Sequence, residues 1–258
     1  MDISVIKIGG NVIDSEENLD IFLKKFADIQ GNKILIHGGG KLATNLSSKL
    51  NIPTQMIDGR RVTDSQTIDV VTMVYAGLIN KTIAAKLQAL NCNAIGVSGA
   101  DAGLIKAVKR NPVPIDFGYV GDIPKGSVDY KTLCNIMNIG LVPVFCSITA
   151  DKFGVLLNCN ADTIAQSIAV GVAKPENNVK LVFCFEKKGI LSDINNEDSV
   201  ISEITAENYL QLKTNKVISD GMIPKVDNAF KALNEGVSEV IIKSFNDLDN
   251  SNGTVITL

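Results

Sequence analysis

The sequence predicts an α/β protein in which helices flank a mainly parallel, open sheet. Three observations carry this. Apolar runs at residues 5–8, 33–37, 94–97, 141–145, 179–185 and 240–243 alternate with longer segments that read as helices. Alternation of this kind builds a parallel sheet with helices on its faces. Three of the runs end in glycine-rich turns: Gly9-Gly10, Gly38-Gly39-Gly40, and Gly99 with Gly103. In a parallel sheet such turns open at one edge, where ligands bind. The length, 258 residues with 45% apolar and 21% charged, suits one large α/β unit or two lobes.

Composition removes several function classes. The net charge of −3 leaves no basic footprint for nucleic acid. No apolar run approaches the ~20 residues of a membrane span, and the first ten residues lack the features of a signal peptide. Five scattered cysteines (Cys92, Cys134, Cys146, Cys159, Cys184) form no CxxC. They read as reduced core residues of a cytoplasmic protein, with no metal site and no disulfide framework. The single histidine, His37, excludes multi-histidine metal sites and argues against a Ser-His-Asp hydrolase.

The elements follow in order. In the first strand, Lys7 interrupts Val5, Ile6 and Ile8, and Gly9-Gly10 is expected to turn with φ > 0. A lysine among apolar strand residues is costly unless an anion meets it. Lysine with a glycine turn at a strand end is a way to hold phosphate; a snorkelling edge-strand lysine is the other reading. Asp14 or Ser15 caps a helix to about residue 29, with Leu19, Ile21, Phe22, Leu23, Phe26 and Ile29 on a broad buried face. After the strand at 33–37, a helix runs over 41–50, and a linker with Pro53 leads to Gly59. A long helix over 65–90 places Ile68, Val71, Tyr75, Leu78, Ile79, Ile83 and Leu87 on one side. The stretch 104–127, punctuated by Pro112, Pro114, Gly118 and Gly121, reads as β-hairpins. Asp129 caps a helix to 137, and a short strand at 155–157 precedes a helix that starts near Asn158 and ends near 172. A polar break at 174–178 divides the chain into lobes 1–174 and 175–258. Beyond it come a strand, a helix capped by Thr205, a helix with Pro224 near its start and Gly236 past its end, and strands at 240–243 and 254–258.

Several residues suggest chemistry. Gly38 to Ala43 fits the dinucleotide fingerprint, with Asp58 at a suitable distance. Against that reading, the first strand belongs to Lys7, and Pro53 breaks the segment before Asp58. A Walker loop is excluded because Leu42 follows the Gly-Lys pair. Arg61 could grip a carboxylate with two parallel hydrogen bonds, or be a surface residue beside Arg60. Asn158, Asn160 and Asp162 at a helix start could cap it, or bind a ligand while Asp162 orients lysines. Lys225, in the first turn of a helix, opposes the helix dipole, which suits a site where an anion binds. Lys7 and Lys225 therefore suggest two cations converging on a polyanion. Phosphoryl transfer depends on positioning and charge neutralisation. A carboxylate acceptor, ionised at neutral pH with a free pKa of about 4, needs no general base.

Lys7-Ile-Gly-Gly, His37-Gly-Gly-Gly, Gly59-Arg-Arg-Val-Thr, Asn158-Cys-Asn-Ala-Asp and Asp220-Gly-Met-Ile-Pro-Lys occur in that order, and the chain resembles the amino acid kinase family nearly end to end. The resemblance implies a three-layer αβα sandwich. It implies ATP-dependent phosphorylation of the side-chain carboxylate of N-acetylglutamate in arginine biosynthesis. Alternatives are N-succinylglutamate as acceptor, another activity of the family, or a non-catalytic binding module. By the same resemblance Lys7 and Lys225 neutralise the phosphoryl group, and Asp162 orients them. Gly9, Gly10 and Gly39 supply N–H contacts to phosphate or substrate. Gly38 and Gly39 approach the acylamino acid, Arg61 holds its α-carboxylate, and Asn158 contacts it. The nucleotide lies near Glu186, Gly189, Ile190, Leu191, Ile218, Ser219 and Asp220. Mg²⁺ rides on the ATP phosphates with no protein ligand. The first lobe binds the acylamino acid and dimerises, the second binds nucleotide, and the protein is a cytoplasmic homodimer. The chain departs from the family pattern at Phe185-Glu-Lys-Lys-Gly189, where a T-D-V-x-G-type turn is usual, and at Arg60, where an apolar residue is commoner. Arg60 could suit a second carboxylate. A chain that starts at its first strand is expected to lack arginine feedback.

Overall fold

The structure, a computed structural model, describes residues 1–57, 59–193, 195–215, 217–218 and 222–258. Strand β1 (Asp2–Ile8) is hydrogen-bonded on both sides, so it is central and Lys7 is not on an edge. Side chains alternate along a strand. Ile3 and Val5 therefore enter one core and Ile6 and Ile8 the other, and Lys7 shares the face of Ile3 and Val5.

The strand ends differently from expectation. Gly9 is extended (φ −69°, ψ 158°), and its N–H donates to the Cys184 carbonyl at 2.8 Å, prolonging the ladder. No left-handed turn forms, because helix α1 (Gly10–Asp14) begins at once. A Cβ at Gly9 would lie 3.4 Å from both the Cys184 oxygen and the Phe185 Cβ, an ordinary contact distance. Ser15, extended, then starts a separate helix α2 (Glu16–Asp28) by accepting from the Asn18 N–H. The carbonyls that end α2 find an unusual cap. Lys33, at the start of β2 (Asn32–His37), donates from Nζ to the oxygens of Phe26, Ala27 and Ile29 at 2.9, 2.6 and 2.7 Å.

Helix α3 (Gly40–Lys49) and the small antiparallel pair β3 (Met56–Ile57) and β4 (Arg60–Arg61) follow. The long helix, capped by Asp64, has three parts: α4 (Ser65–Thr72), a π-helical segment Met73–Ile79, and α5 (Asn80–Ala89). The wider π turn shifts the buried face. Ile68, Val71, Tyr75, Ile79, Ile83 and Leu87 are buried, but Leu78, expected among them, is 61% exposed. By length and composition Ser65–Ala89 could cross a bilayer; here its inner side packs on the sheet.

After β5 (Ala94–Val97), the stretch expected to hold hairpins has, among the described residues, one short regular pair, β6 (Val108–Lys109) with β7 (Gly121–Asp122). Helix α6 (Tyr130–Asn138) is capped by Asp129 and leads to β8 (Val142–Phe145). A hairpin of β9 (Ile148–Ala150) and β10 (Leu156–Asn158) precedes α7 (Ala161–Val172); only its second strand was foreseeable. Strand β11 (Asn178–Phe185), β12 (Glu203–Thr205), α8 (Ala206–Thr214) with a Thr205–Asn208 capping box, α9 (Ile223–Asn234), β13 (Glu239–Ser244) and β14 (Thr254–Thr257) complete the fold.

Among the described residues the main sheet has eight strands in the order β12-β14-β13-β11-β1-β2-β8-β5. Neighbours are parallel except β13 and β14. Helices α1 to α5 cover one face and α6 to α9 the other, giving the expected αβα sandwich. The β1–β11 pairing carries the sheet unbroken across residues 174 and 175.

Candidate active site

Lys7 points from β1 towards the start of α7. Asn160 caps that helix, its Oδ1 accepting from the N–H groups of Asp162 (2.8 Å) and Thr163 (3.2 Å). Of the three polar residues read at this helix start, Asn160 is therefore the cap, which frees Asp162 for other partners. Lys7 Nζ lies 2.6 Å from Asp162 Oδ1, and Lys225 Nζ, from the first turn of α9, lies 3.0 Å from Oδ2. Lys7 does not snorkel, since its side chain is only 13% exposed. Burial pushes the Asp162 carboxyl up, but the two lysines outweigh burial and hold it at about 2. The result is one fixed carboxylate carrying two ammonium groups, with a net charge of +1.

Beside this triad opens a cavity of about 400 Å³. Gly38, Gly39, Arg61, Asn158, Asp162 and Lys225 share its wall, so the residues expected to bind the acylamino acid converge with two of the three expected catalytic groups. Lys7 reaches the wall through Asp162. Asn158 is oriented by its Nδ2 donating to Thr63 Oγ1 at 3.1 Å. Gly39 has φ +151°, and a Cβ there would fall 2.2 Å from Ile79 Cδ1, so glycine is required for both conformation and space.

Arg61 corrects an expectation. Its buried guanidinium donates from Nη2 to the Gly40 carbonyl (2.8 Å) and Thr44 Oγ1 (2.7 Å), and from Nη1 to Thr54 Oγ1 (3.3 Å). With both Nη2 hydrogens taken, neither two-donor edge of the fork is free for a bidentate grip.

The third glycine turn is also not where it was expected. Gly99 donates to the Ile148 carbonyl and packs within 3 Å of Thr149 and Ile105 at its Cβ position; Gly99 and Gly103 do not line the cavity. Gly9 and Gly10 lie off the cavity wall too.

Four of the residues expected around a nucleotide, Glu186, Gly189, Ile190 and Leu191, follow the end of β11. Ile190 is buried, and its N–H donates to Thr254 Oγ1 at 2.8 Å. Gly189 packs against Thr254 and Val200, and Leu191 bridges to Val200. Ile218 is in the core. Glu186 is exposed, and its charge adds to burial in raising the Asp14 carboxyl. Ser219 and Asp220 lie outside the described residues, as does Asp58 of the dinucleotide reading.

His37 is fully buried. Its Nε2 faces Asn80 Nδ2 at 3.0 Å and its Nδ1 faces the Gly38 carbonyl at 2.8 Å. Those partners assign the proton to Nδ1, and burial pushes the imidazole down to about 4. It is a neutral brace for the glycine loop and no base.

Tyr75 and Arg110 are among the wall residues that escaped the sequence reading. Tyr75 was counted only as a buried helix position. Arg110 lies in irregular chain; its Nε donates to both Asp122 oxygens (3.0 and 3.2 Å), Nη2 joins them, and buried Nη1 has no partner among the described residues. An acid twelve residues downstream was its only signal.

This arrangement of two converging cations at glycine-rich strand ends has a family. The model of the amino acid kinase family matches residues 2–244. The chain belongs to the amino acid kinase family. Relatives named acetylglutamate kinase include those of Cytophaga hutchinsonii (51% identical, covering 98% of this chain and 96% of theirs), Bacteroides thetaiotaomicron (46%, 98% and 98%) and Methanopyrus kandleri (34%, 98% and 99%). The crystal structure of smu.665 from Streptococcus mutans UA159 is 27% identical, with a TM-score of 0.79 over 99% of this chain and 98% of that one. Giardia carbamate kinase, 14% identical, shares the fold (TM-score 0.70, covering 99% and 98%).

Proposed function

We propose that the chain is an ATP-dependent kinase that phosphorylates the side-chain carboxylate of N-acetylglutamate, a step of arginine biosynthesis. The observation that carries this reading is the Lys7–Asp162–Lys225 triad beside a cavity walled by Arg61 and Asn158. The lysines spread positive charge over the phosphoryl group as it moves, and Asp162 keeps both ammonium groups in place. Charge fixed in advance where charge develops is an effective source of catalysis. Arg61 and Asn158 orient the acylamino acid. The acceptor carboxylate is already ionised at neutral pH, so the neutrality of His37 is no obstacle.

ATP enters with Mg²⁺ on its phosphates, adding positive charge there. Gly9 and Gly10 approach the phosphates, and Glu186, Gly189, Ile190, Leu191, Ile218, Ser219 and Asp220 surround the nucleotide. In this reading residues 1–174 serve the acylamino acid and 175–258 the nucleotide. The protein is a cytoplasmic homodimer. Five buried free cysteines suit a reducing compartment, and exposed Met73 and Leu78 offer an apolar face on the long helix.

A second reading, N-succinylglutamate as acceptor, is favoured by Arg60 and Arg110 on the cavity wall, which could meet a further carboxylate. Equal turnover of both acylglutamates after Arg60→Leu would remove Arg60 from that reading. The test of function is an ATP-dependent assay with hydroxylamine to trap acyl phosphate. It compares N-acetylglutamate, N-succinylglutamate, glutamate and UMP. Turnover of an acylglutamate is expected, and silence with all four would favour a binding module.

A further inference from the structure

We propose that the Tyr75 hydroxyl is a second donor to the carboxylate that Arg61 holds, and so helps set the affinity for the acylamino acid. The inference rests on the kinase reading above.

Arg61 lacks a free two-donor edge. Three of its five N–H groups are taken by Gly40, Thr44 and Thr54. The two left, on Nε and Nη1, do not share an edge, so the guanidinium meets a carboxylate with one N–H at a time. The second carboxylate oxygen needs another donor, or it is desolvated without a partner.

Tyr75 stands where that donor is required. Its ring is buried at 5% exposure and lies against Gly39, where a Cβ would come within 3.1 and 3.2 Å of ring carbons. The residue lines the cavity. Its hydroxyl oxygen and Arg61 Nη2 are both 3.9 Å from the point a Gly40 Cβ would occupy. Burial raises the phenol's pKa, with Arg61 beside it pulling the other way, so the group stays protonated at neutral pH. Among the described residues no carboxylate or carbonyl accepts its hydrogen, which is therefore available to a ligand. Tyr75 also lies in the π-helical segment, and such segments concentrate at functional sites. The segment brings Tyr75 and Ile79 together onto Gly39.

The test is Tyr75→Phe, which keeps the ring and removes the hydroxyl. KM for N-acetylglutamate should rise about tenfold, as for one lost hydrogen bond to a charged group. Turnover should stay within about twofold and KM for ATP should not change. With the α-amide of N-acetylglutamate as substrate, the same substitution should move KM less than about twofold, because the contact it removes is to the carboxylate. An unchanged KM for N-acetylglutamate, an equal rise with acid and amide, or a parallel rise in KM for ATP would each overturn the proposal. Should Tyr75→Phe not fold, Tyr75→Met gives the same acid-against-amide comparison. Wild-type turnover is measured first: its absence sinks the kinase reading, whereas wild-type turnover with an insensitive variant sinks only the role of Tyr75.

Discussion

Lys7 and Lys225, near opposite ends of the chain, rest on the two separate oxygens of one carboxylate, at 2.6 and 3.0 Å from Asp162. Each lysine is thereby held without sharing an acceptor atom, and both ammonium groups keep hydrogens for a ligand. Lys7→Ala and Lys225→Ala should each lower kcat by roughly 10²- to 10³-fold, the usual loss when one fixed charge donor is removed. KM for N-acetylglutamate should change by less than about threefold in the hydroxamate assay. A mild loss at either position would separate that lysine from the transfer step.

Asp162 predicts an acid limb. Its carboxyl sits at about 2 in the folded protein, against an ordinary value of 3.8. A depressed carboxyl stabilises fully above the unfolded value and loses its contribution as pH falls towards the folded one. The loss should therefore fall between about pH 4 and pH 2, and amount to about 2 kcal/mol. Urea unfolding at intervals across this window measures it. Asp162→Asn should flatten that part of the curve; an unchanged slope would contradict the pairing.

His37 predicts a separate, higher limb. Its imidazole is pushed from 6.5 to about 4 by burial. The unfolded chain takes up this proton first, so stability should fall as pH drops from about 6.5 to 4, by about 3 kcal/mol. His37→Gln should remove the slope in this window while leaving the Asp162 limb intact. No titration near pH 6.5 should appear in the kcat profile of the wild type.

Gly39→Ala should cost at least about 2 kcal/mol in urea unfolding, because φ +151° strains any side-chain-bearing residue. The new methyl would also meet Ile79 Cδ1. Shortening that neighbour with Ile79→Val should recover only part of the loss, since the backbone term remains.

Leu78→Glu places a charge on the exposed side of the long helix. If this face joins two copies, light scattering should report a monomer for the variant and a dimer for the wild type. Identical masses would move the interface elsewhere.

The order and type of the main elements were legible because they depend on local patterns. Strands 33–37 and 179–185, the caps at Ser15, Asp129 and Thr205, and the long helix follow from periodicity and capping chemistry. The convergence of Lys7, Asp162 and Lys225 was suggested by the chemical misfit of each lysine with its own element. What escaped depends on contacts distant in sequence. The hydrogen bond from Gly9 to β11 replaced the expected turn, and the packing of Gly99 on β9 withdrew it from the site. Arg110 is held by Asp122 across irregular chain where no period exists to read. Leu78 was misplaced because a uniform 3.6-residue period cannot register a π segment.

That segment makes the number of residues between Met73 and Ile79 matter as much as their identity. A one-residue deletion there would keep every apolar side chain and let the whole helix become regular. Because the wider turns take up about one residue, α5 would keep its phase and Asn80 its place beside His37, so the change would fall on Tyr75 and Ile79, which sit on Gly39. Substitutions in this helix are thus graded by size and polarity, whereas a change in its length would act on the support of the glycine loop.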